Sequence, residues 1–230
     1  NRYETIHTPL PMNVEDETRY LFSRLTPYRF RIPQIKEIKN AFVTHEGLVL
    51  KNGLLVNGCA FNLQGKEDNT FYYTFWRSTI EQYAVCRWGK SLPAIHLKGS
   101  QKYLLIHSKW FNYAFWINSY LLRLIMAEEA GLLKQVKLIV PEGWKSIPFV
   151  WDSLKAFDIE MEIIPIGHHL FVDNLVMPET RQWTASFYPP HLQKVRERLL
   201  PEAVKRVNPI EQFPKKIYLT RTKRGIRCVE

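Results

Sequence analysis

Short apolar runs alternate with longer stretches of helical period from residue 103 onward. Residues 103–107 (Tyr-Leu-Leu-Ile-His) read as a buried strand. Residues 110–130 have a 3.6-residue period, with Phe111, Phe115, Leu122 and Ile125 on one stripe and Gly131 closing the helix. Strands follow at 137–140, 161–165 and 170–176, with a helix at 146–157 between the first two. Repeated strand–helix–strand units predict an α/β fold: a Rossmann-like parallel sheet with right-handed crossovers and helices on both faces.

The earlier part of the chain has a different pattern. Residues 35–66 read as β-structure. Val49-Leu50-Lys51 and Leu54-Leu55-Val56 flank Asn52-Gly53, a two-residue hairpin signal. Residues 71–88 are rich in aromatics and predict an amphipathic helix, with Arg77 and Arg87 interleaved. Residues 1–34 carry Pro9, Pro11, Pro27 and Pro33 and read as an extended arm, with a short helix over 16–25 capped by Asp16. Past the last strand, Pro178, Pro189 and Pro190 mark a loop or active-site flap over 177–190. A charged helix interrupted by Pro201 spans 191–206. The expected organisation is an arm (1–34), a Rossmann-like domain led by a β-hairpin (35–206), a Pro-containing linker (207–214), and a strand over 215–230 that opens a second domain.

Composition narrows the partners. The chain of 230 residues is 46% hydrophobic and 13% aromatic, ample for a buried core. A net charge of +10 suits an anionic partner: nucleic acid, anionic lipid or the phosphates of a nucleotide sugar. Cys59, Cys86 and Cys228 are too few and too scattered for a disulfide framework or a zinc site, and no Asn-x-Ser/Thr sequon occurs. Both features lean towards a reducing, cytoplasmic setting. The basic surface allows peripheral contact with the inner face of an anionic membrane. No apolar run approaches membrane-spanning length.

Ligands of an open parallel sheet bind outside the carboxyl ends of its strands. That rule selects three loops: His107-Ser108-Lys109, Pro141-Glu142-Gly143-Trp144 and Ile166-Gly167-His168-His169. They offer imidazoles, a carboxylate, an ammonium and an indole, a set suited to base catalysis and sugar stacking. Each residue also has a plain structural reading: a cap at His107, a solvated Glu142, a turn at His168-His169. Neither G-x-G-x-x-G nor G-x-x-x-x-G-K-[ST] is present, nor G-x-S-x-G. With no Asp-x-Asp, a metal-bridged diphosphate has no support, and no metal site is expected. The last segment, KKIYLTRTKRGIRCVE, places a strand before Thr220, Arg221, Arg224 and Arg227, whose forked donors suit phosphate oxygens.

Two segments together resemble glycosyltransferase family 61. Asn112-Tyr113-Ala114-Phe115-Trp116-Ile117-Asn118-Ser119-Tyr120-Leu121-Leu122-Arg123-Leu124 is similar to that family's Asn-Tyr-Tyr-His-Trp helix ending in Leu-Pro-Arg-Leu. Lys216-Ile217-Tyr218-Leu219-Thr220-Arg221, with Arg224 and Arg227-Cys228-Val229-Glu230, is similar to its strand and arginine cluster. Leu138-Ile139-Val140-Pro141 and Ser153-Leu154 fit in order between them. The resemblance implies a GT-B architecture whose first domain binds acceptor and whose second binds a nucleotide-diphosphate sugar. Lys109, Asn112, Trp144 and His168 would then be acceptor residues, and Thr220, Arg221, Arg224 and Arg227 would hold the donor phosphates. The rest of the donor half, including the family's His-Gly-Ala-Gly, would lie beyond Glu230. The family's His falls on Phe115 and its acidic residue on Ser119, so His107 becomes the substitute base.

The resulting expectation is a metal-independent glycosyltransferase of bacterial polysaccharide synthesis. It would carry a sugar from a nucleotide diphosphate to a glycan or lipid-linked glycan hydroxyl, without a cofactor. Two alternatives stand beside it. Charge and aromatic–Arg interleaving fit a nucleic-acid module, although no nucleic-acid motif is present and none is expected as partner. Phe115 and Ser119 fit a relative that binds glycan without transferring sugar.

Overall fold

Alternation along three short strands sets the centre of the sheet. A computed structural model describes residues 3–6, 28–56, 58–59, 93–108, 111–179 and 189–205. Strands β7 (Lys102–Leu104), β8 (Val136–Pro141) and β9 (Glu160–Ile164) pair in parallel, in that order. Leu104, Leu138 and Val140 point to one face, and Tyr103, Ile139 and Ile164 to the other. Each face therefore needs its own cover.

Helices cover the first face. Helix α1 runs through Tyr113–Phe115, a π-turn at Trp116–Tyr120, and Leu121–Glu129. A 3₁₀ turn, Glu142–Ser146, leads into α2 (Pro148–Leu154), with Pro148 at the helix start. Helix α3 spans Pro189–Lys205 and continues through Pro201 instead of breaking there. Trp116, Tyr120, Leu124, Val150, Leu154 and Val195 meet the sheet in one cluster. Burying each large apolar side chain contributes about 1.5–3 kcal/mol. An ion pair, Arg198–Glu128 (2.5 Å), and a contact of His191 Nε2 with a Glu129 carboxylate oxygen (3.0 Å) tie α3 to α1.

The other face is covered differently. Strand β3 (Ile35–Val43) pairs antiparallel with β10 (His169–Pro178), which pairs in parallel with β6 (Ala94–Leu97) and β7. The hairpin of β4 (Val49–Lys51) and β5 (Leu54–Leu55) extends β3. Its Asn52 and Gly53 both have positive φ (52° and 79°), as the two-residue turn requires. Val43 pairs with Leu170 and Leu104 with Val176, six residues apart along β10. A straight strand would separate those levels by roughly 20 Å. Yet Gly47, just past Val43, lies against His107, just past Leu104. The β3–β10 ribbon must therefore double back over the sheet. The bend is at Asn40 (φ 51°) opposite Asp173, where the ladder skips a pair. Ala41, Val43, Leu170 and Val172 then pack with Tyr103, Ile139 and Ile164 in a second cluster.

The fold is thus mixed α/β, with a parallel half (β10, β7, β8, β9) and an antiparallel half (β10, β3, β4, β5). Helices were expected on both faces; among the described residues the second face carries the folded ribbon. A separate antiparallel pair joins β1 (Tyr3–Ile6) and β2 (Tyr28–Arg31). The helices expected over 16–25 and 71–88, the linker at 207–214 and the strand at Ile217 lie outside the described residues. No helix among the described residues is long and apolar enough to cross a membrane.

Candidate functional site

The carboxyl end of β7 is held by polar side chains of α1. Tyr120 Oη donates to the Ser108 carbonyl at 2.7 Å and accepts from the Ser108 amide at 3.2 Å. Arg123 Nη1 donates to the carbonyls of Ile106 (2.7 Å) and His107 (3.2 Å), and Nη2 to that of Gly58 (3.4 Å). Arg123 is buried, and burial lowers its pKa to about 10, so it stays charged at neutral pH. These bonds fix residues 106–108 against the helix. Burial also pushes the Tyr120 hydroxyl above its ordinary value.

His107 sits inside this frame with 6% of its surface exposed. Its ring meets Trp144 edge-on at 5.5 Å, and its buried Nδ1 has no hydrogen-bond partner among the described residues. Burial first, and then the charge of Arg123, lowers its pKa to about 3. The imidazole is therefore neutral at pH 7, and it is a weak base, since proton transfer works best near the operating pH.

Trp144 is the hub of an aromatic cluster. It is buried, stacks on Tyr120 (6.0 Å, 21°) and on Phe111 (5.5 Å, 28°). Phe111 in turn stacks nearly parallel to Phe149 (6.3 Å, 10°), which Tyr113 meets edge-on at 5.1 Å. Phe111 and Tyr113 are 37% and 61% exposed. Beside Trp144, Gly143 faces Ile166, which is 74% exposed. A ledge of part-exposed rings and apolar side chains thus runs along the carboxyl ends of β7, β8 and β9, supported by buried rings.

No protein-family model, curated protein or solved structure matches this chain.

The residues expected at the site divide three ways. His107 and Trp144 are brought together. Asn112 is the cap of α1: its Oδ1 accepts from the Phe115 amide at 2.9 Å. His168 lies in the turn after β9, its Nδ1 3.2 Å from the Ile166 carbonyl oxygen. Lys109, Thr220, Arg221, Arg224 and Arg227 lie outside the described residues. Glu142 is exposed on the 3₁₀ turn. Among the described residues, no group of His, Cys, Asp and Glu is placed to hold a metal ion.

Sequence reasoning put Phe111 in the core stripe and did not single out Tyr113 or Phe149. The available signal was position: all three stand at the amino-terminal ends of helices that follow β7 and β8, where an open sheet exposes its loops. Chemically, the site offers part-exposed aromatic rings, a neutral imidazole and a strand end held by side-chain hydrogen bonds.

Proposed function

We propose that this chain is the acceptor-side half of a GT-B glycosyltransferase, and that the ledge of Phe111 and Tyr113, supported by buried Trp144, receives the glycan. The carrying observation is the pair of part-exposed rings on a buried aromatic base at the carboxyl ends of parallel strands. Part-exposed rings suit the C–H surface of a sugar ring, and a buried base keeps them in place. The resemblance to glycosyltransferase family 61 adds support through residues with defined places. Asn112 caps α1, Trp116 Nε1 donates to Ser153 Oγ at 2.8 Å, and Arg123 anchors the strand end. In this reading the nucleotide-diphosphate sugar is held by Thr220, Arg221, Arg224 and Arg227, whose charge offsets that of the leaving diphosphate.

A second reading is favoured by His107 itself. With its pKa near 3 and Phe115 at the place of the family's His, the chain has the features of a glycan binder without transfer. One experiment separates the two. The full-length protein is screened against a glycan array, and bound glycans are then incubated with it and a panel of nucleotide-diphosphate sugars and weighed by mass spectrometry. A gain of one hexose or pentose mass supports transfer. Binding without gain supports the second reading, and no glycan binding contradicts both.

A further inference from the structure

The turn at residues 44–48 joins β3 to β4 and lies between two buried imidazoles. On one side the His45 amide donates to Nδ1 of His169 at 3.1 Å. His169 is fully buried, stacked on Phe42 (5.4 Å) and edge-on to His45 (5.1 Å). Its Nε2 has no hydrogen-bond partner among the described residues. On the other side Gly47, at φ 81°, presses on His107, so closely that a Cβ would stand 2.6 Å from the His107 carbonyl oxygen and 2.7 Å from ring Cδ2. Nδ1 of His107 likewise lacks a partner.

An imidazole nitrogen that accepts a hydrogen bond carries no proton. Protonation of His169 Nδ1 would turn the acceptor into a second donor facing the His45 amide. It would also place a charge where no water reaches. The titratable groups facing His169 are His45 and Glu46 of the turn and His168 beside it; of these only Glu46 favours the cation. His107 faces Arg123 of α1, which opposes a cation, while Trp144 and Gly47 bring no charge.

We propose that the 44–48 turn is an acid-released clasp, closed on neutral His107 and His169 and opened when both take up protons. Opening would lift the folded end of the β3–β10 ribbon from the β7 end and uncover His107. This rests on the turn's own geometry and not on the glycosyltransferase reading. The sign follows from burial, which holds His169 at about 4 and His107 at about 3 when closed. Once released, both return towards the ordinary value near ~6.5. Protons therefore favour the open form as pH falls below that value, and the effect levels off near the closed-state values. Each imidazole multiplies opening by up to about tenfold per pH unit, and the two together by about a hundredfold.

Hydrogen exchange on the whole chain between pH 7 and pH 5, corrected for intrinsic chemistry, tests this. The turn should exchange faster than Leu121–Glu129 at every pH, by about tenfold or more, with a pH slope that rises towards about two protons by pH 5. His169→Asn keeps an acceptor oxygen but cannot titrate, and should cut the slope to about one proton; adding His107→Asn should flatten it. Coincident rates for the turn and α1, or an unchanged slope in H169N, would overturn the proposal. Ring nitrogen shifts of the wild-type protein test the same point without a variant. A bare Nδ1 and protonated Nε2 on His169, persisting below pH 6, are expected; an ordinary titration near ~6.5 would overturn it.

Discussion

Asn40 holds a left-handed backbone in the middle of a nine-residue strand. Its conformation reverses which face the neighbours present: Ile35 packs on the helical side, Ala41 and Val43 on the other. Only Gly, and to a lesser degree Asn and Asp, enter that region cheaply. Asn40→Val should destabilise the protein by about 1–2 kcal/mol in urea unfolding, while Asn40→Gly should be close to neutral. An equal response to the two would mean that the bend is not set by this residue. Nothing in the sequence marked Asn40, because Asn is common in loops and its neighbours read as one continuous strand. Arg123 stood in the segment that resembles the family's helix, but no local pattern showed that it would be buried with its donors on three carbonyls.

Helix α1 shows how far periodicity carries. Its span and its end near Gly131 follow from the apolar pattern, but the face does not. The stripe through Phe111, Phe115, Leu122 and Ile125 misplaces the amino-terminal half, where Trp116, Ser119 and Tyr120 are buried. Two things obscured this. The carboxyl half is buried all round from Leu121 to Ala127, so any stripe fits there. The buried face also contains polar groups, Ser119, Tyr120 and Arg123, which a hydrophobic period scores against. Trp116 belongs to that face, and its indole N–H finds Ser153 of α2. Ser153→Ala should cost about 1–2 kcal/mol by leaving that donor unsatisfied, with Ser153→Thr costing less if the hydroxyl is kept in place. A change within error for Ser153→Ala would show that this bond does not join the two helices.

At the scale of the molecule, strands β7, β8 and β9 and the hairpin were legible because each is written in a local pattern. The doubled-back ribbon was not. It depends on pairing Ile35 with Pro178 and Val43 with Leu170, contacts far apart in sequence that no local window contains. The ledge was legible only in part: strand order predicted which end of the sheet to inspect, but not that Phe111 would leave the core. Burying two neutral imidazoles has a consequence for the whole protein. The unfolded chain binds protons on His107 and His169 near ~6.5, whereas the folded chain resists them, so stability should fall with pH below that value. The loss should approach ~1.4 kcal/mol per pH unit for each imidazole, read from urea midpoints between pH 7 and pH 5. A flat profile would mean that neither ring stays neutral in the fold.

The central claim is that the exposed rings receive a sugar. Saturation-transfer NMR on the whole chain reads it directly, with aromatic protons irradiated and oligosaccharides from the array as ligands. The account predicts saturable transfer to the C–H faces of one glycan class, and an affinity about tenfold weaker in Phe111→Ala, the order expected for loss of one stacking ring. Transfer to no glycan, or an affinity unchanged in Phe111→Ala, would contradict it.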